Sequence, residues 1–330
     1  MSAFCSPHTD GIKFLRIRTL AVACLLAIAQ TAGAFDAQGH RGARGLLPEN
    51  TLPAFARALS IGVNTLELDV GVTRDGHVVV THNMRLNPDL TRDHNGVWLN
   101  GELAPAVNSL TLAQLRSYDV GRIRPGTRYA TRFTTQEAVD GARVPTLAEV
   151  FQLAASNGRG RVRFNIETKI NPDKPALTLG PVEFVDAVVS VVREHRLSER
   201  VSIQSFDWRT LKHASNIAPD IATVYLSAQQ RWFDTIEAGK PGASPWTAGY
   251  DIDNFDGDLP SMIKAAGGDI WSPFHGDVNP AKIARAKSLG LQVIVWTVND
   301  EPRMNELIDM GVDGIISDYP DRLVELLKNR

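Results

Sequence analysis

Residues 65–70 read Thr65-Leu66-Glu67-Leu68-Asp69-Val70. Side chains alternate across an extended strand, so Leu66, Leu68 and Val70 share one face while Glu67 and Asp69 share the other. An antiparallel strand with a solvated face would satisfy this pattern. In a barrel whose apolar face packs on helices, the same alternation turns both carboxylates into the lumen near the strand's C-terminal end. Two adjacent buried carboxylates need cations, a shared proton or a metal.

The pattern recurs at Phe164-Asn165-Ile166-Glu167-Thr168-Lys169. Phe164 and Ile166 fall on one face; Asn165, Glu167 and Lys169 fall on the other. Glu167 and Lys169 by themselves would serve as a structural ion pair. Three carboxylates from two strands are better explained by a hard divalent cation with oxygen ligands.

Further short apolar runs lie at 35–40, 201–206, 223–226, 269–272, 292–298 and 314–317, with the two strands above extending over 65–72 and 162–169. Helical patterns separate most of them, at 52–61, 147–155, 184–195, 281–289 and 301–310. Repeated alternation predicts a parallel sheet with helices outside. Eight strands would close an α/β (β/α)₈ barrel; an open doubly wound sheet competes.

The run 78–82 breaks the alternation, following Thr73-Arg74-Asp75-Gly76-His77 with no helix between. Asp-Gly between apolar runs predicts a hairpin. With Asp75 and Gly76 as the two central turn residues, His82 pairs opposite Asp69 and faces the same side. Residues 83–144 then form a long polar segment with a Thr111-x-x-Gln114 capping box. The expectation is an insertion capping one end of the barrel. Thr146-x-x-Glu149 is a second such box.

The first strand ends Gly39-His40-Arg41-Gly42, where barrel enzymes place catalytic groups. Arg41 offers a planar donor fork to an oxyanion, and Asn50 is expected to cap the helix near Leu52, with Glu49 beside it. His40 and His82 together suit proton removal and delivery across a phosphodiester.

The 330 residues carry a formal net charge of -2, with no electrostatic footprint for nucleic acid. Lys13, Arg16 and Arg18, the apolar run 20–29 and Ala32-Gly33-Ala34 form the layout of a secretory signal peptide over 1–34. The expected mature chain is 35–330, exported to the periplasm or secreted, with no membrane anchor after cleavage. Both cysteines, Cys5 and Cys24, fall in this leader. Any metal in the mature chain is therefore held by oxygen or imidazole.

His40-Arg41-Gly42, Pro48-Glu49-Asn50-Thr51, Glu67-Leu68-Asp69-Val70, Thr73-Arg74-Asp75-Gly76, Val79-Val80-Thr81-His82, Pro145-Thr146-Leu147, Glu167-Thr168-Lys169, Gln204-Ser205-Phe206 and Trp296-Thr297-Val298-Asn299 stand in order along the chain. In these motifs it resembles the glycerophosphodiester phosphodiesterase family. The resemblance implies a distorted (β/α)₈ TIM barrel of the phospholipase-C-like phosphodiesterase type. It implies one divalent cation, calcium or magnesium, on Glu67, Asp69 and Glu167. It further implies His40 and His82 as the acid–base pair, with Arg41 and Lys169 on the phosphate. The expected reaction is hydrolysis of a small glycerophosphodiester to glycerol 3-phosphate and an alcohol, through a cyclic phosphate. Asn83 stands where the family usually has Asp, and Thr168 where it usually has an aliphatic residue, on the outward face.

Gln204 and Trp296 are candidates for substrate binding, with a hydrogen-bonded strand glutamine and a core tryptophan as the competing readings. Asp318 either binds substrate or caps a helix. The competing functions are a related barrel enzyme acting on a phospholipid headgroup or another phosphodiester, and a non-catalytic exported binding protein.

Overall fold

The structure is a computed structural model that describes residues 1–5, 35–157 and 161–330, with Glu102 described in its backbone alone. The charged, apolar and small-residue parts of the expected signal peptide, including Cys24, lie outside the described residues. Phe35–Arg330 forms one unit.

In chain order the strands are β1 (Asp36–Gly39), β2 (Thr65–Val72), β3 (Val78–Val80), β4 (Arg163–Thr168), β5 (Val201–Ser205), β6 (Ala222–Ser227), β7 (Gln229–Gln230), β8 (Phe233–Asp234), β9 (Ile270–Pro273), β10 (Gln292–Val295) and β11 (Gly314–Ser317). The parallel order β1-β2-β4-β5-β6-β9-β10-β11 returns to β1, which pairs with both β2 and β11. Among the described residues this is a closed eight-stranded barrel, so the open-sheet alternative falls. Closure leaves none of these eight strands with an open edge.

The outward side chains Leu66, Leu68, Val70, Phe164, Ile166, Ile203, Val293 and Ile315 join one core with the surrounding helices. Local sequence sets those helices. Thr51 caps Leu52–Ile61, and Thr146 with Glu149 forms the expected capping box on Leu147–Ser156. Residues Pro175–Glu194 have the length and hydropathy of a membrane span. Within them, helix Pro181–Glu194 buries Phe184, Val185, Val188, Val189 and Val192 in the barrel core. That packing accounts for its apolar run.

The lumen is divided. Val224, Ile270, Ile294 and Ile316 form an apolar plug on the β6–β9–β10–β11 side. On the other side Asn165 Nδ2 donates to Gln38 Oε1 and to Gln204 Oε1, each at 3.0 Å, and Ser202 Oγ donates to Asn165 Oδ1 at 2.9 Å. The polar half lies beneath the carboxylates.

The hairpin forms, but its register differs by one residue from expectation. Val70 pairs with Val80 and Val72 with Val78, and Thr81 N donates to Asp69 O at 2.9 Å. The turn has three residues, Arg74, Asp75 and Gly76, with Gly76 left-handed at φ 84°. A three-residue loop with glycine in that position shifts the ladder relative to a two-residue turn.

Residues between 83 and 144 pack around a second cluster, in which Leu86, Val107, Leu115 and Val144 join Val79 of β3. They clamp the loop after β1: Thr135 Oγ1 donates to Gly45 O at 3.1 Å, Gln136 Nε2 to Arg44 O at 2.7 Å, and Glu137 N to Leu46 O at 2.8 Å. The segment thus covers the C-terminal mouth.

That loop turns at Arg41 (φ 50°) and Gly42 (φ 86°). A Cβ at Gly42 would lie 2.7 Å from Ala54 C, against the first turn of Leu52–Ile61. We predict that Gly42→Ala costs about 2 kcal/mol or more from the left-handed backbone and the clash, read as a lower urea midpoint; an unchanged midpoint would contradict this account.

Candidate active site

Strand register assembles the carboxylates. Asp69 lies opposite Glu167, and Glu167 opposite Gln204, while Glu67 lies opposite Asn165. One oxygen each from Glu67, Asp69 and Glu167 can be chosen so that all lie within 4.8 Å of one another. Gln204 is buried, and its Nε2 donates to Glu67 Oε1 at 2.6 Å. Its Oε1 accepts from Asn165, so Gln204 is held between Asn165 and Glu67. Thr168 points outward, 3.1 Å from Thr210 Oγ1.

Asp69 Oδ2 accepts from Asn50 Nδ2 at 2.8 Å and lies 3.2 Å from Arg41 Nε. Asn50 is therefore not the helix cap; Thr51 caps, and Asn50 turns left-handed (φ 55°) to reach the site. Lys169 Nζ is 2.6 Å from Glu167 Oε1 and 3.5 Å from Asp69 Oδ1. Asp69 Oδ1 is buried, and the lysine lies at ion-pairing distance without hydrogen-bond alignment. Burial opposes ionisation of Asp69, but Arg41, His82 and Lys169 together hold its pKa below the usual range. Burial, then Asp69 and Glu167, push Glu67 well up. Burial also outweighs Lys169 at Glu167, which is pushed up to about 7. An all-oxygen donor set with a buried oxygen that has no hydrogen bond among the described residues fits a hard divalent cation.

His40 Nδ1 lies 2.5 Å from Asp318 Oδ1, which leaves Nε2 directed at the carboxylates, 3.9 Å from Glu67 Oε2. Asn299 fixes Asp318: its Nδ2 donates to Asp318 Oδ2 at 2.8 Å, and its Oδ1 accepts from Asp318 N at 2.9 Å. Burial lowers the His40 pKa despite the opposing pull of Asp318. Asp318 is neither a helix cap nor a free ligand. Strand register brings it there: Gly39 pairs with Ser317 across the closing seam, so the next residues on both strands meet.

Arg41 N donates to Glu67 Oε2 at 2.9 Å, and Arg41 Nη1 donates to Glu49 Oε1 at 2.7 Å. At Glu49, Arg41 and Arg44 overcome burial and bring the pKa down to about 2. His82 lies beyond the end of β3, where the chain has left the ladder, and still reaches the mouth. It is half-buried, with Nδ1 3.3 Å from Asn83 Oδ1. Burial, then Arg41 and Lys169, push its pKa well below the usual value.

Trp296 follows the C-terminal end of β10. Its Nε1 donates to Ser272 O at 3.0 Å, and its ring packs edge-on against Phe206 and Phe274. Phe206 follows Gln204 by two residues. From there the aromatic strip continues through Phe233 to Trp232, which is 61% exposed. His213 pairs with Asp186 away from the mouth.

Barrels of this architecture work at the C-terminal face. Here that face gathers the guanidinium groups of Arg41 and Arg44, the Lys169 ammonium and the imidazoles of His40 and His82 around the carboxylates. Residues 40–322 match the glycerophosphoryl diester phosphodiesterase family model, and the chain belongs to that family. A glycerophosphodiester phosphodiesterase of Caldanaerobacter subterraneus is 30% identical over 88% of this chain and 96% of its own length. A crystal structure from Silicibacter pomeroyi DSS-3, assigned provisionally to the glycerophosphoryl diester phosphodiesterases, superposes with TM-score 0.79 and 38% identity, covering 90% of this chain and 94% of that one. An Oleispira antarctica phosphodiesterase in complex with the product sn-glycerol-3-phosphate shares the fold at TM-score 0.64 and 22% identity, covering 89% and 96%.

Asp318→Asn removes the charge that orients His40 and is expected to lower phosphodiesterase kcat by about 10²-fold with the fold intact. Unchanged kcat would show that His40 does not depend on this contact.

Proposed function

We propose that this chain hydrolyses glycerophosphodiesters to glycerol 3-phosphate and an alcohol, using one divalent cation and both histidines. The observation that carries this reading is the convergence of Glu67, Asp69 and Glu167 beside His40 and Arg41. A calcium or magnesium ion on the three carboxylates supplies Lewis-acid stabilisation of phosphate charge when bound. Arg41 and Lys169 bind and orient the diester's oxygens. His40 Nε2, with Nδ1 held by Asp318, takes the proton from the attacking substrate hydroxyl. As the oxygen–phosphorus bond forms, His82 protonates the leaving alcohol. Water then opens the resulting cyclic phosphate, with the proton roles reversed.

A second reading, cleavage at a phospholipid headgroup, is favoured by the aromatic strip that ends at exposed Trp232. Against it, the segment 83–144 is rich in Asn, Asp, Arg and Gly.

The test is release of glycerol 3-phosphate by residues 35–330 from glycerophosphocholine and glycerophosphoethanolamine, with lysophosphatidylcholine in parallel. Activity should disappear with chelator, return with calcium or magnesium, and be lost in His40→Ala and His82→Ala. More cation should be needed at pH 6 than at pH 8. Glu167, pushed up to about 7, holds a proton below that pH which the cation must displace. Turnover of the lysophospholipid alone would favour the second reading, and chelator-insensitive turnover would remove the cation.

The basic, apolar and small-residue layout of 13–34 supports export. N-terminal sequencing of protein recovered outside the cytoplasm should begin at Phe35, and recovery of the full chain only in the cytoplasm would refute this.

A further inference from the structure

Tyr129 belongs to the insertion, on the short helix Arg128–Arg132 capped by Thr127. Its hydroxyl donates to Glu49 Oε2 and accepts from Arg44 Nε at 2.8 Å. The other Glu49 oxygen receives Arg41 Nη1 at 2.7 Å. Arg44 Nε also lies 2.8 Å from Glu49 Oε2, and its Nη1 lies 3.7 Å from Asp318 Oδ1. The Arg44 guanidinium sits 4.5 Å from the Phe133 ring centroid and 5.0 Å from that of Tyr129.

A carboxylate between two guanidinium groups has several ways to share its lone pairs between them. The tyrosine hydroxyl occupies one acceptor direction on Glu49 and leaves Oε1 to Arg41. Burial, then the Glu49 charge, raise the phenol's pKa, so it remains a donor. Hydrogen-bonded chains in a buried setting restrain each member more than an isolated pair does.

We propose that Tyr129 is a positioning residue for Arg41, acting through Glu49, so that the insertion sets the aim of the guanidinium that binds phosphate. The inference rests on the role proposed above for Arg41. It gives the segment 83–144 a part in substrate binding beyond covering the mouth. Phenylalanine at position 129 would keep the ring against Phe133 and Arg44 and lose the hydroxyl alone.

The experiment is glycerophosphocholine hydrolysis by the wild type, Tyr129→Phe, Arg41→Lys and the double variant. KM should rise about tenfold in Tyr129→Phe with kcat within about twofold, the size expected for one lost hydrogen bond to a charged group. In the Arg41→Lys background the same change should have little further effect, because the coupled partner is already gone. Equal losses in both backgrounds, or unchanged KM in an active enzyme, would overturn the inference. Absence of turnover in the wild type would instead sink the proposed function. Calorimetric binding of glycerol 3-phosphate would then decide the link: about tenfold weaker in Tyr129→Phe supports it, and equal binding ends it.

Discussion

Charge balance in a buried mouth governs this site. Five carboxylates, from Glu49, Glu67, Asp69, Glu167 and Asp318, are buried or nearly so. Three permanent cations, Arg41, Arg44 and Lys169, stand among them. Five negative charges against three positive leave a deficit of two. Isolated ions in such surroundings cost several kcal/mol each, so the deficit has to be closed by protons or by a cation. Burial and the neighbouring carboxylates raise both Glu67 and Glu167, in keeping with a deficit that falls on the carboxylate trio. One divalent cation closes the same balance without consuming protons.

The barrel distributes this charge asymmetrically. Glutamine, asparagine and serine line the half of the lumen below the carboxylates, while isoleucine and valine fill the other half. Parallel register makes the polar half possible, because Asp69, Glu167 and Gln204 come into line from three successive strands. The closing seam makes a separate contribution by bringing His40, at the end of β1, onto Asp318 after β11. Catalytic geometry here follows from strand pairing, and the loops supply the remaining charges.

This division explains what could be read from the chain and what could not. Alternation in residues 65–70 and 164–169 is a local signal, and it placed the carboxylates in the lumen and Thr168 on the outside, where the structure sets it against Thr210. The eight barrel strands were legible for the same reason. Hairpin register was not, because Asp75-Gly76 fits either a two-residue turn or a three-residue loop with Gly76 left-handed, and sequence does not separate them. His82 arrives at the mouth because the chain leaves the ladder after Thr81, not because His82 pairs with Asp69. Asn50 has the composition of a helix cap, and only the left-handed turn beside Thr51 redirects it to Asp69. The bond from Tyr129 to Glu49 spans 80 residues and carries no local periodicity.

The two histidines are held unequally, and this bears on their proposed roles. His40 is braced by Asp318, itself fixed by Asn299, so its basicity is supported against the effect of burial. Among the described residues His82 has the Asn83 amide at 3.3 Å as its side-chain partner, where the family usually carries a carboxylate, and it faces Arg41 and Lys169. A carboxylate partner suits a base, and a low pKa suits a donor that must release its proton readily. The difficulty is loading that proton near neutrality, since the same cations that sharpen the acid also discourage protonation. If the diester binds at Arg41 and Lys169 as proposed, its negative charge offsets them at the imidazole. Under the proposed mechanism, substrate binding thus favours protonation of His82, beside an Asn83 amide that supplies no charge of its own.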